Sequence, residues 1–246
     1  MLKRSGLAGF NESVGSTMKT VGVLGGLGPQ ATMDFEARIH AVSRGLIPPV
    51  RSGGYPPMVV YYYRHSPYKL TPDLIPVMPL HPHPRLLDAA KKLGQWADFL
   101  VITANAPHLF REEIEQAFGG PVLSMIDVTM DEVQRRGLKT VGVLGLNKPR
   151  VYLRPLAQRS LTSVILSDQL SARLNEAIFS FMEGREASES QLIAREAVEF
   201  LRAQGAEGII LGCTEIPLLL REDSDVADLI NPTQLLAEAT VRYAIA

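Results

Sequence analysis

An α/β fold of two pseudo-symmetric domains, each a four-stranded parallel sheet flanked by helices with a functional cleft between them, is predicted by three observations. The chain opens two stretches on the same seven residues, KTVGVLGGLGP from Lys19 and KTVGVLGLNKP from Lys139, and an internal repeat of that length implies two similar units. Short Val/Ile-rich runs alternate with segments of three- and four-residue apolar spacing, the pattern of strands and helices in a parallel sheet covered on both faces. The composition, 46% hydrophobic and 21% charged over 246 residues, is that of an ordinary globular chain able to bury such cores.

The elements follow in order. Residues 1–17 begin with basic residues and a short, Gly-broken apolar run; this is a poor signal peptide and reads as a flexible N-terminal extension. The first strand opens at 18–20 and ends in a Gly turn that starts a helix. PMVVYYY (57–63) is the second strand, rich in β-favouring Tyr and Val, matched in the second half by 163–166. Helices at 84–93 and 189–204 precede the third strands at 97–102 and 206–211. Fourth strands at 122–126 and 227–230 close the halves. The domains are therefore 18–130 and 131–231, with the break near 129–138. The C-terminal helix, 232–246, is expected to pack back on the first domain. The acidic run 221–228 (REDSDVAD) reads as a solvated loop before the last strand.

Net charge is −1, so electrostatics give no case for a nucleic-acid or anionic-membrane partner. No uninterrupted apolar run is long enough to span a bilayer. One cysteine excludes an intramolecular disulfide and fits a reducing, cytoplasmic setting. GGLGPQA (25–31) satisfies a loose dinucleotide pattern, yet Tyr63-Arg64-His65 stands where an acidic residue would hold a ribose. A tight turn with Pro29 opening the helix, its amides facing a carboxylate, fits better, and no cofactor is expected. His81-Pro82-His83 lacks a third ligand nearby and reads as a loop before a helix, so no metal is expected.

Chemistry in open parallel sheets gathers outside the carboxyl ends of the strands. Aligned on Ala97-Asp98 and Ala206-Glu207, the third strands set Ala104 opposite Cys213 and Asn105 opposite Thr214. Two opposed strand ends suit proton transfer at both faces of one carbon. A thiol serves there if positive character, such as a helix N-terminus, lowers its pKa.

GGLGPQAT (25–32), ANAPH (104–108), LGCTEIP (211–217) and INPTQLLAEA (230–239) together resemble the cofactor-independent aspartate/glutamate racemase superfamily, over essentially everything from Lys19 to Ala246. The resemblance implies a pseudo-symmetric α/β homodimer acting on a small amino-acid or dicarboxylic-acid substrate, with two facing cysteines. It assigns Cys213 to the second thiol and Asn105 and Thr214, with neighbouring Glu215, to substrate contacts. Three positions depart from that pattern: Ala104 in place of the first thiol, Ala106 in place of a threonine, and LNKPR (146–150) in place of a Gly-Thr-rich turn. Thr103 cannot replace the thiol, since neighbours on a strand face opposite ways. His108 is the first candidate substitute base, with water an alternative. Gly26 and Gly28 are expected to bind the carboxylate beside the reacting carbon, and Arg64 and Ser66, at the end of the second strand, the distal one. The expected activity is racemisation of an aspartate- or glutamate-type amino acid. A one-thiol decarboxylation of malonate-type acids, or a ligand-binding homologue without turnover, are the alternatives.

Overall fold

The structure, a computed structural model, describes residues 18–48, 54–73, 75–147, 149–185 and 188–246; the N-terminal extension expected at 1–17 lies outside the described residues. The first sheet contains β1 (Val21–Gly25), β2 (Met58–Tyr62), β3 (Phe99–Ile102) and β4 (Val122–Leu123), in the order β2-β1-β3-β4. The second contains β5 (Thr140–Leu144), β6 (Thr162–Val164), β7 (Gly208–Leu211) and β8 (Leu229–Ile230), in the order β6-β5-β7-β8. Every pairing is parallel, and the two orders are the same. The predicted fold class holds: two four-stranded parallel sheets flanked by helices.

The helices are α1 (Pro29–Leu46), α2 (Pro84–Leu93), α3 (Arg111–Phe118) and α4 (Met125–Arg135), then α5 (Arg150–Gln158), α6 (Asp168–Met182), α7 (Ser188–Ala203), α8 (Ile216–Leu220) and α9 (Pro232–Ile245). Leu86, Ala89, Ala90 and Leu93 of α2 join Ile114 and Phe118 of α3 against Leu100 and Ile102. In the second half α6 and α7 cover Ile209 and Leu211 through Leu174, Ile178, Ala197 and Leu201.

On the inner faces the halves exchange a helix. α4 leaves the first sheet, yet its Ile126, Met130 and Val133 pack with Val141, Val143 and Ile210 of the second. α9 leaves the second sheet, and its Leu236, Ala237, Val241 and Ala244 pack with Val21, Phe35 and Ile39 of the first. A main-chain bond from Lys19 N–H to the Ala244 carbonyl, 2.9 Å, adds to this. Such packing dominates the stability of both helices; truncating Leu236 to Ala costs about 2–5 kcal/mol.

Several boundaries move. The fourth strands are only two residues long, because each runs into a helix cap. Ser124 Oγ accepts from Asp127 N–H at 3.0 Å and starts α4, which ends the strand expected at 122–126. Asn231 Oδ1 accepts from Thr233 N–H at 3.0 Å and from Gln234 N–H at 3.3 Å and starts α9. α4 runs through residue 130 without interruption. The first strand opens at Val21 rather than at Met18, and the strand expected at 163–166 sits at Thr162–Val164. Within the run read as a solvated loop, Asp228 takes a bidentate grip from Arg202, 2.7 and 2.8 Å, and Arg221–Asp225 forms a 3-10 turn. No helix among the described residues is long and apolar enough to cross a membrane.

Candidate active site

The carboxyl ends of β3 and β7 bring the polar residues of the two halves together. Beyond β7, Gly212 is followed by half-buried Cys213 and by buried Thr214 and Glu215. Glu215 Oε2 accepts two hydrogen bonds, from Cys213 Sγ at 3.1 Å and from Thr214 Oγ1 at 3.1 Å. Its other oxygen crosses to the first half. A Cβ built on Gly28 would stand 2.2 Å from Glu215 Oε1, so only glycine at the start of α1 leaves room for this carboxylate. The polar end of a helix N-terminus favours a negative group in that place.

A second link crosses in the same direction. Tyr152, fully buried on α5, donates its hydroxyl to Asn105 Oδ1 at 2.6 Å. A Cβ on Gly212 would stand 2.6 Å from the Leu144 carbonyl oxygen and 3.1 Å from the Tyr152 ring, so the close approach of β5 requires glycine before the thiol and the ring packs tightly beside it.

The thiol is held in its protonated form. Burial pushes the Cys213 pKa well up, the Glu215 carboxylate adds to this, and main-chain hydrogen bonds from Glu215 and Leu146 oppose it. This corrects the expectation of an electropositive site: the group beside the sulfur is a carboxylate that accepts its hydrogen bond.

The first half is occupied with itself. Thr32 Oγ1 lies 2.9 Å from Thr103 Oγ1 and accepts from Gly26 N–H at 2.8 Å. Gly26 also gives its carbonyl to Arg64 Nη1 at 2.9 Å. Both main-chain groups of Gly26 are therefore committed, and its amide is not presented to a ligand. His108 Nε2 accepts from Met125 N–H at 3.1 Å, which leaves Nδ1 as the protonated nitrogen donating to the Ala104 carbonyl at 2.9 Å. Burial lowers the His108 pKa to about 4. A neutral imidazole bonded to the main chain at both nitrogens has no free position with which to act as a base, which speaks against its role as the substitute.

The remaining expected residues make no hydrogen bond to Cys213, Thr214 or Glu215 among the described residues, and Arg64 reaches the site only through the Gly26 carbonyl. Arg64 is exposed and lines an outer cavity of about 330 Å³ with Tyr62, His65, Arg85 and Lys92. Ser66 Oγ donates to the Tyr68 carbonyl at 2.8 Å and accepts from Tyr68 N–H at 3.3 Å, closing its own turn. His83 caps α2, its Nδ1 accepting from Arg85 N–H at 3.2 Å. Among the described residues no group of three or more His, Cys, Asp or Glu is placed to hold a metal ion. Loop residue Asn147 is fixed from α6 by a reciprocal pair of bonds with Asn175, 2.9 and 3.0 Å.

Tyr152 is the site residue that sequence reasoning missed. Its signal was present: counted from Lys19 and Lys139, Tyr152 falls where Thr32 does.

A pair of matched four-stranded parallel sheets whose strand ends meet beside one thiol defines the protein as α/β in class. The Asp/Glu/hydantoin racemase family matches residues 24–240, and the chain belongs to that family. It is 26% identical over 225 residues to the broad specificity amino-acid racemase RacX of Bacillus subtilis (strain 168), covering 90% of this chain and 96% of the relative. The structure superposes on an aspartate racemase homologue of Pyrococcus horikoshii OT3 with TM-score 0.73 at 24% identity, covering 93% of this chain and 100% of that one. For the Picrophilus torridus aspartate racemase the TM-score is 0.74 at 21% identity, covering 92% and 94%. These structural likenesses show the shared fold.

Proposed function

We propose that the protein is a cofactor-independent amino-acid racemase acting on acidic, aspartate- or glutamate-type substrates, with Cys213 as its one thiol acid/base. The observation that carries this reading is the contact of Cys213 Sγ with Glu215 Oε2 at 3.1 Å, in a cleft where Glu215 also reaches Gly28. Glu215 accepts the thiol proton, and the thiolate removes the α-proton of the substrate. The carbanion delocalises into the adjacent carboxylate, for which Asn105 Nδ2 is the donor. On the Ala104 face solvent returns a proton, and Glu215 gives its proton to the hydroxide left behind. Cys213 then carries the substrate proton as thiol, and the site is restored. General acid–base groups of this kind contribute about 10²–10⁴-fold each, so a site with one thiol runs slower towards inversion than towards exchange on the thiol face.

Ala104 and the fully bonded His108 favour one other reading, in which the thiol serves a one-face reaction such as decarboxylation of a malonate-type acid. Chiral analysis of L- and D-aspartate and L- and D-glutamate after incubation separates the two. Slow interconversion that disappears in Cys213→Ala supports the racemase. Interconversion unchanged in Cys213→Ala, or no interconversion together with CO2 release from malonate-type acids, refutes it.

A further inference from the structure

Two of the pairs of positions at which the halves differ lie side by side. Thr32 and Tyr152 are equivalent in the repeat, as are Thr103 and Gly212. In the first half the two threonine hydroxyls meet each other at 2.9 Å and stay within the half. In the second half a large ring packs beside the glycine, and the tyrosine sends its hydroxyl across to Asn105.

The length of that bond decides how the amide lies. At 2.6 Å it falls in the range of an O–H···O bond and is shorter than an N–H···O bond. Oδ1 is therefore the acceptor, and Nδ2 is turned away from the phenol. Asn105 is half-buried at the end of β3, next to Ala104, and Nδ2 has no protein partner among the described residues. Burial raises the Tyr152 pKa far above that of a free phenol, so the hydroxyl remains a donor throughout the working pH range.

We propose that Tyr152 is a positioning residue: it locks the Asn105 amide so that its NH₂ group is presented to the carboxylate on the reacting carbon of the substrate. The proposal rests on the reading of the cleft as a carboxylate-binding proton-transfer site, and it gives the second half control over the carboxylate contact of the first. Without the phenol the amide rotates between two orientations, of which only one offers a donor.

Calorimetric binding of L-aspartate, L-glutamate and succinate to wild type, Tyr152→Phe and Asn105→Asp tests this. Tyr152→Phe keeps the ring and is expected to weaken binding about three- to tenfold and to lower kcat/KM by at least that factor. Asn105→Asp retains an acceptor for the phenol but offers no donor, and is expected to lose about a hundredfold; it carries the test if Tyr152→Phe does not fold. Unchanged affinity in either variant overturns the proposal, as does failure of wild type to bind any of the three probes. Binding that follows the expected order without any interconversion of aspartate or glutamate sinks the racemase reading while leaving Tyr152 in its role.

Discussion

The first half of the molecule ends its strands in groups that bond to one another, whereas the second ends them in groups that reach out. Thr32, Thr103 and Gly26 form a closed set, and His108 is tied to Ala104 and Met125. Across the cleft, Glu215 extends to Gly28 and Tyr152 to Asn105, and Cys213 stands beside Glu215. The sheets have the same order and the same parallel pairing. Equal scaffolds thus carry unequal chemistry, and the inequality comes from a few side chains at strand ends. In this account the first half is the binding wall and the second half supplies the proton carriers.

Removing the carrier breaks the comparison most severely. Cys213→Ala is expected to slow exchange of the substrate α-proton by about 10³-fold, read by NMR in D2O, with a thermal midpoint close to wild type. Restoring the symmetry has the next largest effect. Ala104→Cys is expected to raise the rate of inversion by about 10²-fold, measured by chiral chromatography, while exchange on the Cys213 face changes little.

Glu215→Gln sharpens the electrostatic side of the contrast. The carboxylate raises the thiol pKa, so its removal lowers that pKa and the thiolate forms at lower pH. Alkylation by iodoacetamide should accelerate at neutral pH, and the midpoint of its pH profile should move down. Exchange of the substrate α-proton should fall in the same variant, because the thiol has lost its proton acceptor. An unchanged alkylation profile would mean that the carboxylate does not govern the sulfur.

The smallest effect concerns stability in the first half. The folded pKa of His108 is about 4, below its unfolded value near 6.5, so the fold favours the neutral ring. Its contribution is present above pH ~6.5 and is lost as pH falls towards 4, by about 3 kcal/mol at most. Denaturant unfolding at neutral and acid pH should show this loss in wild type and a shallower one in His108→Gln.

Much of the architecture was legible because its signals are local. The shared KTVGVLG and the apolar runs mark β1, β3, β5 and β7 directly, and aligning the third strands brings out Cys213, Asn105 and Ala104 as one set. The short fourth strands were not legible in the same way. The run VLSMI is apolar apart from Ser124 and reads as a strand, and the bond from Asp127 N–H to the Ser124 hydroxyl shows that a helix begins there. The exchange of α4 was hidden for a related reason, since an amphipathic helix does not state which sheet it will cover.

At the site, the residue types were readable and their partners were not. His108 looks like a free base until the Met125 amide, on another element, is seen at its Nε2. The strand-end pattern suggests an activated thiol, but burial, with Glu215 folded back onto the sulfur, pushes its pKa up. Tyr152 carries no motif at all. Its importance arises from its burial beside Gly212 and from an asparagine in the other half.

The stereochemistry of deuterium uptake addresses the division of labour most directly. Wild-type protein is incubated with L-aspartate or L-glutamate in D2O, and retained and inverted deuterated products are measured in the same samples. Proton carriers confined to the second half predict that deuterium enters with retention faster than with inversion, and that Ala104→Cys narrows the gap. Inversion as fast as exchange in the wild type would contradict the account, because it would place a second base on the Ala104 face.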